Sequence, residues 1–110
     1  MDTNWKFCNL RVIVLENKYL KVHILPELGA KIYDIIYKPS DYNFLWHNPG
    51  ILPKKVSVGS NYDDHFSGGW DVLFPNDLPG AVLGELYPDH GEMWAQSWKF
   101  EITGDSSDRC

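Results

Sequence analysis

Two short runs hold the residues best suited to chemistry: Gly68-Gly69-Trp70-Asp71-Val72-Leu73-Phe74-Pro75 and Asp89-His90-Gly91-Glu92-Met93-Trp94. Together they set a histidine, several carboxylates and two indoles among glycines, which permit backbone angles that other residues avoid. Polar hydrogen-bonders interleaved with flat aromatic faces suit a sugar, which carries hydroxyls round its rim and C–H groups on its face. The stretch between the runs is rich in Pro, Gly, Asn and Asp and is expected to be irregular.

Within the runs the roles divide by residue type. His90 and Glu92 stand two apart, so in a strand they would project to one face. Both have pKa values that a protein can tune toward neutrality, which makes them candidates for acid–base work. Equally, Glu92 orients His90, or both bind hydroxyls. Asp89 and His65 join them as candidate ligand contacts, and Trp70 and Trp94 are either stacking faces or packing. Gly68, Gly69 and Gly91 are expected to serve backbone geometry: a turn, or close approach to a ligand. His23 reads as structural, His47 as a residue beside a turn, and Trp98 as core.

Composition narrows the functional classes. Ten Lys+Arg against fifteen Asp+Glu give a net charge of −5, and no basic cluster exceeds Lys54-Lys55, so nucleic acid is not an expected partner. No apolar run approaches the ~20 residues that span a bilayer, and Met1-Asp2-Thr3-Asn4-Trp5-Lys6 lacks the pattern of a secretory leader. Cys8 and Cys110 form neither a CxxC nor a disulfide framework; Cys8 reads as a small strand residue. A cytoplasmic protein with no membrane partner and no cofactor is expected. With 110 residues the chain suffices for one domain.

The elements that must position these residues are strands. Aromatics make up 15% of the chain, which favours sheets over helices. Leu10, Val12 and Val14 alternate with Arg11, Ile13 and Leu15; Asn17-Lys18 can make a tight turn; Leu20, Val22 and Ile24 resume the alternation. Pro26-Glu27-Leu28-Gly29 ends that strand, and another follows from Ala30 to Tyr37. Residues 10–37 therefore predict a three-stranded antiparallel meander. Phe44 to His47 reads as a short extended piece, 51–66 as a loop holding one helical turn, Val72-Leu73-Phe74 as a buried strand, and Trp94 to Thr103 as another strand. Residues 104–110 are a polar tail. The class is all-β, in antiparallel sheets.

Residues Leu15 to Val22 followed by Leu25-Pro26-Glu27-Leu28-Gly29-Ala30-Lys31-Ile32, with Gly68-Gly69-Trp70, Phe74-Pro75, Asp89-His90-Gly91-Glu92 and Trp98, resemble in order and spacing the opening part of aldose 1-epimerase (galactose mutarotase)-like domains. The resemblance runs over most of residues 10–103. It implies a partial galactose mutarotase-like β-sandwich, with 1–103 the N-terminal portion of a carbohydrate-binding domain. It also implies an isomerase of carbohydrate metabolism that interconverts sugar anomers when the full domain is present. Mutarotation needs an acid at the ring oxygen and a base at the anomeric hydroxyl. By the resemblance His90 is a sugar-binding residue, while the catalytic histidine and glutamate lie on later strands, beyond this chain.

The chain departs from the family pattern in three ways, one being that Ser60-Asn61-Tyr62 stands where galactose mutarotases show Asn-Arg before their histidine motif. Ser67 and Trp94 stand near the places where sugar-phosphate epimerases carry arginines, so an unphosphorylated hexose is the expected ligand. Full family sandwiches are far longer than 110 residues, so a fragment is expected, with uncovered sheet edges open to self-association. Two other classes stay open: a sugar-binding module without turnover, and a metal site drawn from Asp63, His65, Asp89, His90 and Glu92, although no tight ligand spacing supports a metal.

Overall fold

The structure is a computed structural model describing residues 5–104, the side chain of Val82 excepted. The tail residues 105–110, Cys110 among them, and residues 1–4 lie outside the described residues. The chain is all-β and antiparallel. Among the described residues eight strands form a four-stranded sheet and two separate two-stranded ribbons.

The first ribbon pairs β1 (Lys6–Phe7) with β2 (Leu10–Arg11). Cys8 and Asn9 form its turn, both at positive φ (52° and 64°), so Cys8 is a turn residue rather than a strand residue. A two-residue turn with both residues at positive φ matches the twist of the flanking strands. The central sheet runs β3 (Ile13–Glu16), β4 (Leu20–Leu25), β5 (Lys31–Tyr37) and β6 (Tyr42–Asn43) in that order. The expected meander is present with a fourth strand at its edge, and the first predicted strand is split at Val12 between ribbon and sheet. Its β3–β4 turn lies one residue later than expected. Asn17 Oδ1 accepts from the amides of Tyr19 and Leu20 at 2.8 Å each, and Asn17 N donates to Leu20 O.

After β4, Pro26–Leu28 makes a 3₁₀ turn ending at Gly29, φ 63°. A Cβ at Gly29 would lie 2.1 Å from Met93 O, so the site needs glycine for both conformation and space. The core on this side of the sheet is Leu10, Val12, Val14, Leu25, Leu28 and Tyr33, with Phe7 packed against it.

β5 carries the irregularity that matters most for the sites. His23 pairs with Asp34, whereas Ile24 pairs with Ile32, leaving Tyr33 as one extra residue. Such a bulge re-aims side chains. Here it breaks the strict alternation, and Tyr33 and Asp34 are consecutive buried residues.

The later part of the chain departs most from expectation. The loop 51–66 holds one helical turn, α1 (Tyr62–His65), capped by Asn61 Oδ1 accepting from Asp64 N. Val72-Leu73-Phe74 is neither a strand nor buried; the run is exposed, and its one ladder-like contact is a parallel bridge from Phe74 to Gly91. The linking stretch is not wholly irregular: β7 (Gly80–Val82) and β8 (Glu85–Tyr87) make a hairpin. Its turn, Leu83-Gly84, again has two positive φ angles (51° and 84°). Trp94 to Thr103 is a 3₁₀ turn (Met93–Ala95) followed by irregular chain rather than a strand. Among the described residues no strand pairs with it. Trp98 is half-exposed rather than core, tied by its amide to Pro26 O at 2.8 Å.

Candidate functional site

Gly68 and Gly69 thread the chain between the backbone of Trp46 and His47 and that of β5. Gly68 (φ 95°) bridges His47, and a Cβ there would lie 2.1 Å from Trp46 O; Trp70 pairs with Ile32 through both main-chain bonds, at 2.8 and 3.0 Å. Only glycine combines that φ with that proximity. The crossing sets Asp71 beside Lys31, forty residues earlier in the chain. Lys31 Nζ donates to Asp71 Oδ2 at 2.8 Å and to Gly68 O at 2.6 Å, and it lies over the Phe66 ring at 5.0 Å.

Both members of that ion pair are about 95% buried or more at the side chain. A buried charge persists only when paired and hydrogen-bonded. Tyr62, presented by α1, completes the group: its hydroxyl donates to Asp71 Oδ2 at 2.8 Å. Burial first, then the Asp71 carboxylate, pushes the Tyr62 phenol well above its usual range, so the phenol stays protonated and remains a donor. Asp71 Oδ1 is buried with no hydrogen-bond partner among the described residues.

His90 reaches the same place from the second run. Its ring stacks on Tyr62, centroids 4.0 Å apart and 9° from parallel, and Tyr62 meets Trp94 edge-on at 5.1 Å. Among the described residues no ring contact joins His90 directly to Trp70 or Trp94. His90 and Gly91 both take positive φ (62° and 75°), so they form a turn and not the strand that would put His90 and Glu92 on one face. Glu92 instead begins the Met93–Ala95 turn, with its amide on Phe74 O at 3.0 Å. Asp89 Oδ2 lies 2.8 Å from His90 Nδ1 but out of line for a hydrogen bond, and Asp77 Oδ1 is 3.6 Å from Nε2. The buried Nδ1 therefore makes no hydrogen bond among the described residues, and neither does Asn76 Oδ1.

The two runs thus do meet, at the Phe74–Gly91 bridge, where a Cβ on Gly91 would lie 2.3 Å from Phe74 O. Of the two indoles, Trp94 is buried and its faces are occupied by packing, which removes it as a stacking surface; Trp70 is 58% exposed and remains one. His65 lies at the back: its Nδ1 bonds Asn61 O within α1, and its ring is 6.5 Å from Trp94. The enclosed hollow among Lys31, Tyr62, His65, Asp71 and Trp94 measures only about 10 Å³, room for one water. Any larger ligand must lie outside it, where Trp70 and Phe74 are exposed and Asp89, His90 and Glu92 are partly buried.

Lys31 and Tyr62 are the members that reading the sequence missed. A lysine opening an apolar strand is the one available signal, because buried lysines need a partner. Among the described residues no group of three His, Cys, Asp or Glu side chains converges as a metal ion would require, so the set from Asp63 to Glu92 does not come together as a centre. No described helix is long and apolar enough to cross a membrane.

No solved structure matches the chain. A family model described as a domain of unknown function (DUF5107) matches residues 2–81, which takes in the glycine-threaded run and stops short of His90. That match covers well over half of the 110 residues, and the chain belongs to the DUF5107 family.

Proposed function

We propose that this chain binds an unphosphorylated sugar on the open face formed by the two runs, in the manner of aldose 1-epimerase-like domains. One observation carries the proposal: the runs meet at Phe74–Gly91, the first run carries the exposed indole of Trp70, and Asp89, His90 and Glu92 of the second are only partly buried. Asp89, His90 and Glu92 offer acceptors that suit a polyhydroxyl ligand whose hydroxyls donate. Trp70 supplies the flat face for the sugar's C–H side.

Binding is proposed without turnover by these 110 residues. His90 and Glu92 are not arranged as an acid–base pair, since a turn separates them and Glu92 heads a 3₁₀ turn. Anomer interconversion is proposed for the fuller sandwich to which such a portion would belong. A cytoplasmic setting is part of the same proposal, suggested by two cysteines that form no disulfide framework.

Tryptophan fluorescence titrated with glucose and galactose tests the proposal. A saturable change that disappears in Trp70→Ala and weakens about tenfold or more in His90→Ala is expected. No response to either sugar at concentrations to 100-fold above ~1 mM would overturn it. Polarimetry of freshly dissolved glucose should show the background rate.

A further inference from the structure

A second site lies on the core face of the central sheet, built from residues outside both motif runs. A cavity of about 300 Å³ opens there among Trp5, Phe7, Tyr33, Leu25 and Val12, with His23 at its polar end. Its volume sits at the lower bound of small-molecule pockets, and its walls are almost wholly apolar.

The polar end is organised. Across the β4–β5 pair, His23 Nδ1 donates to Asp34 Oδ2 at 2.6 Å. The other carboxylate oxygen, Oδ1, accepts from Asn43 Nδ2 at 2.5 Å and lies 2.7 Å from His47 Nε2, whose hydrogen bond goes to Tyr33 O at 3.0 Å. His47 in turn stacks on Tyr33, 3.9 Å between centroids and 9° from parallel, and Trp5 meets the His23 ring edge-on at 4.9 Å. In the tautomer that commits Nδ1–H to the carboxylate, Nε2 is the ring's acceptor. Among the described residues Nε2 has no hydrogen-bond partner, and it is not among the sealed unpartnered atoms. His23, with one unpaired ring nitrogen, therefore lines an aromatic-walled space, and the Tyr33 bulge is what brings Asp34 to the face that holds it.

We infer that this cavity binds a small phenol-like molecule: a flat apolar ring carrying a single O–H or N–H donor that hydrogen-bonds to His23 Nε2. A sugar does not suit it, because a hexose would bury several hydroxyls against walls that offer them no partners. A wholly apolar ring would leave Nε2 unpaired when water is displaced. The inference is independent of the carbohydrate proposal, since the two sites share none of their binding residues.

Long-range ¹H–¹⁵N spectra of the imidazole rings of the 110-residue chain, titrated with 4-methylphenol, toluene and glucose, test it. With 4-methylphenol the His23 Nε2 resonance should move saturably, as an acceptor nitrogen gains a donor. Toluene should bind about tenfold more weakly and leave that resonance in place. Glucose should not shift it. Val12→Phe, which projects a ring into the cavity and leaves the Asp34–His23 pair intact, should abolish binding of 4-methylphenol. An unmoved His23 Nε2 at saturating 4-methylphenol, or equal affinity for toluene and 4-methylphenol, overturns the inference. The ring-nitrogen readout is made on the unaltered chain and holds even if the Val12 variant does not fold.

Discussion

Tyr62 joins two layers of the candidate site at once: its hydroxyl donates to Asp71 at 2.8 Å while its ring lies flat on the His90 imidazole, 4.0 Å away. The hydroxyl and the ring can be removed separately. Tyr62→Phe keeps the stack and deletes one donor to a buried carboxylate, which should cost ~1–3 kcal/mol in urea unfolding. Tyr62→Ala removes the ring as well, and should cost ~3–5 kcal/mol and free the His90 ring. A Phe variant as damaging as the Ala variant would show that the stack contributes nothing.

The Lys31–Asp71 pair makes a sharper prediction. Lys31→Met leaves the Asp71 carboxylate buried with Tyr62 as its one remaining donor, and should destabilise the chain by ~3–5 kcal/mol. Adding Asp71→Asn removes the stranded charge, so the double variant should recover part of that loss. Chemical denaturation of the two single variants and the double gives the coupling directly.

Acid should weaken the fold through Asp34. Burial raises its pKa, but the His23 hydrogen bond, the His47 charge and the Asn43 bond together outweigh burial and hold it below the usual carboxylate range. The folded state then binds fewer protons than the unfolded state, whose aspartate titrates near ~3.9. The stabilisation is complete above that pH and is lost as pH falls through the lower, folded value. Asp34→Asn should flatten this acid limb in urea titrations between about pH 5 and pH 2. An unchanged limb would assign the acid sensitivity to other carboxylates.

Glycines at similar positive φ should differ by their surroundings. Gly84→Ala meets open space at φ 84° and should cost ~1–2 kcal/mol for the left-handed conformation alone. Gly91→Ala at φ 75° adds a Cβ 2.3 Å from Phe74 O, so the run-to-run bridge must part. Thermal unfolding should separate the two variants clearly, with the Gly91 variant the lower.

What could be read from the residues follows from where each determinant lies. Leu20, Val22 and Ile24 announce β4 because period-two alternation is a local property, and Pro26 to Gly29 announces its end for the same reason. The β7–β8 hairpin is hidden because its turn is Leu83-Gly84, where leucine occupies a positive φ that its side chain does not advertise. Trp94 to Thr103 alternates like a strand but has no described neighbour to pair with, and alternation without a partner strand gives no ladder. At the candidate site the glycines and Trp70 are legible by type. Lys31–Asp71 is not, since forty residues separate the pair and only the Ile32–Trp70 crossing unites it. His23, Asp34 and His47 are each unremarkable in sequence; a single extra residue in β5 makes them neighbours.

The hairpin closed by Leu83 and Gly84 has a practical use. Its tip is fully exposed at Leu83, and Gly84 has no atom near where a side chain would sit. A short tag or dye-bearing peptide spliced between these two residues would hang clear of the sheet. Either ligand could then be followed by a reporter that touches neither pocket.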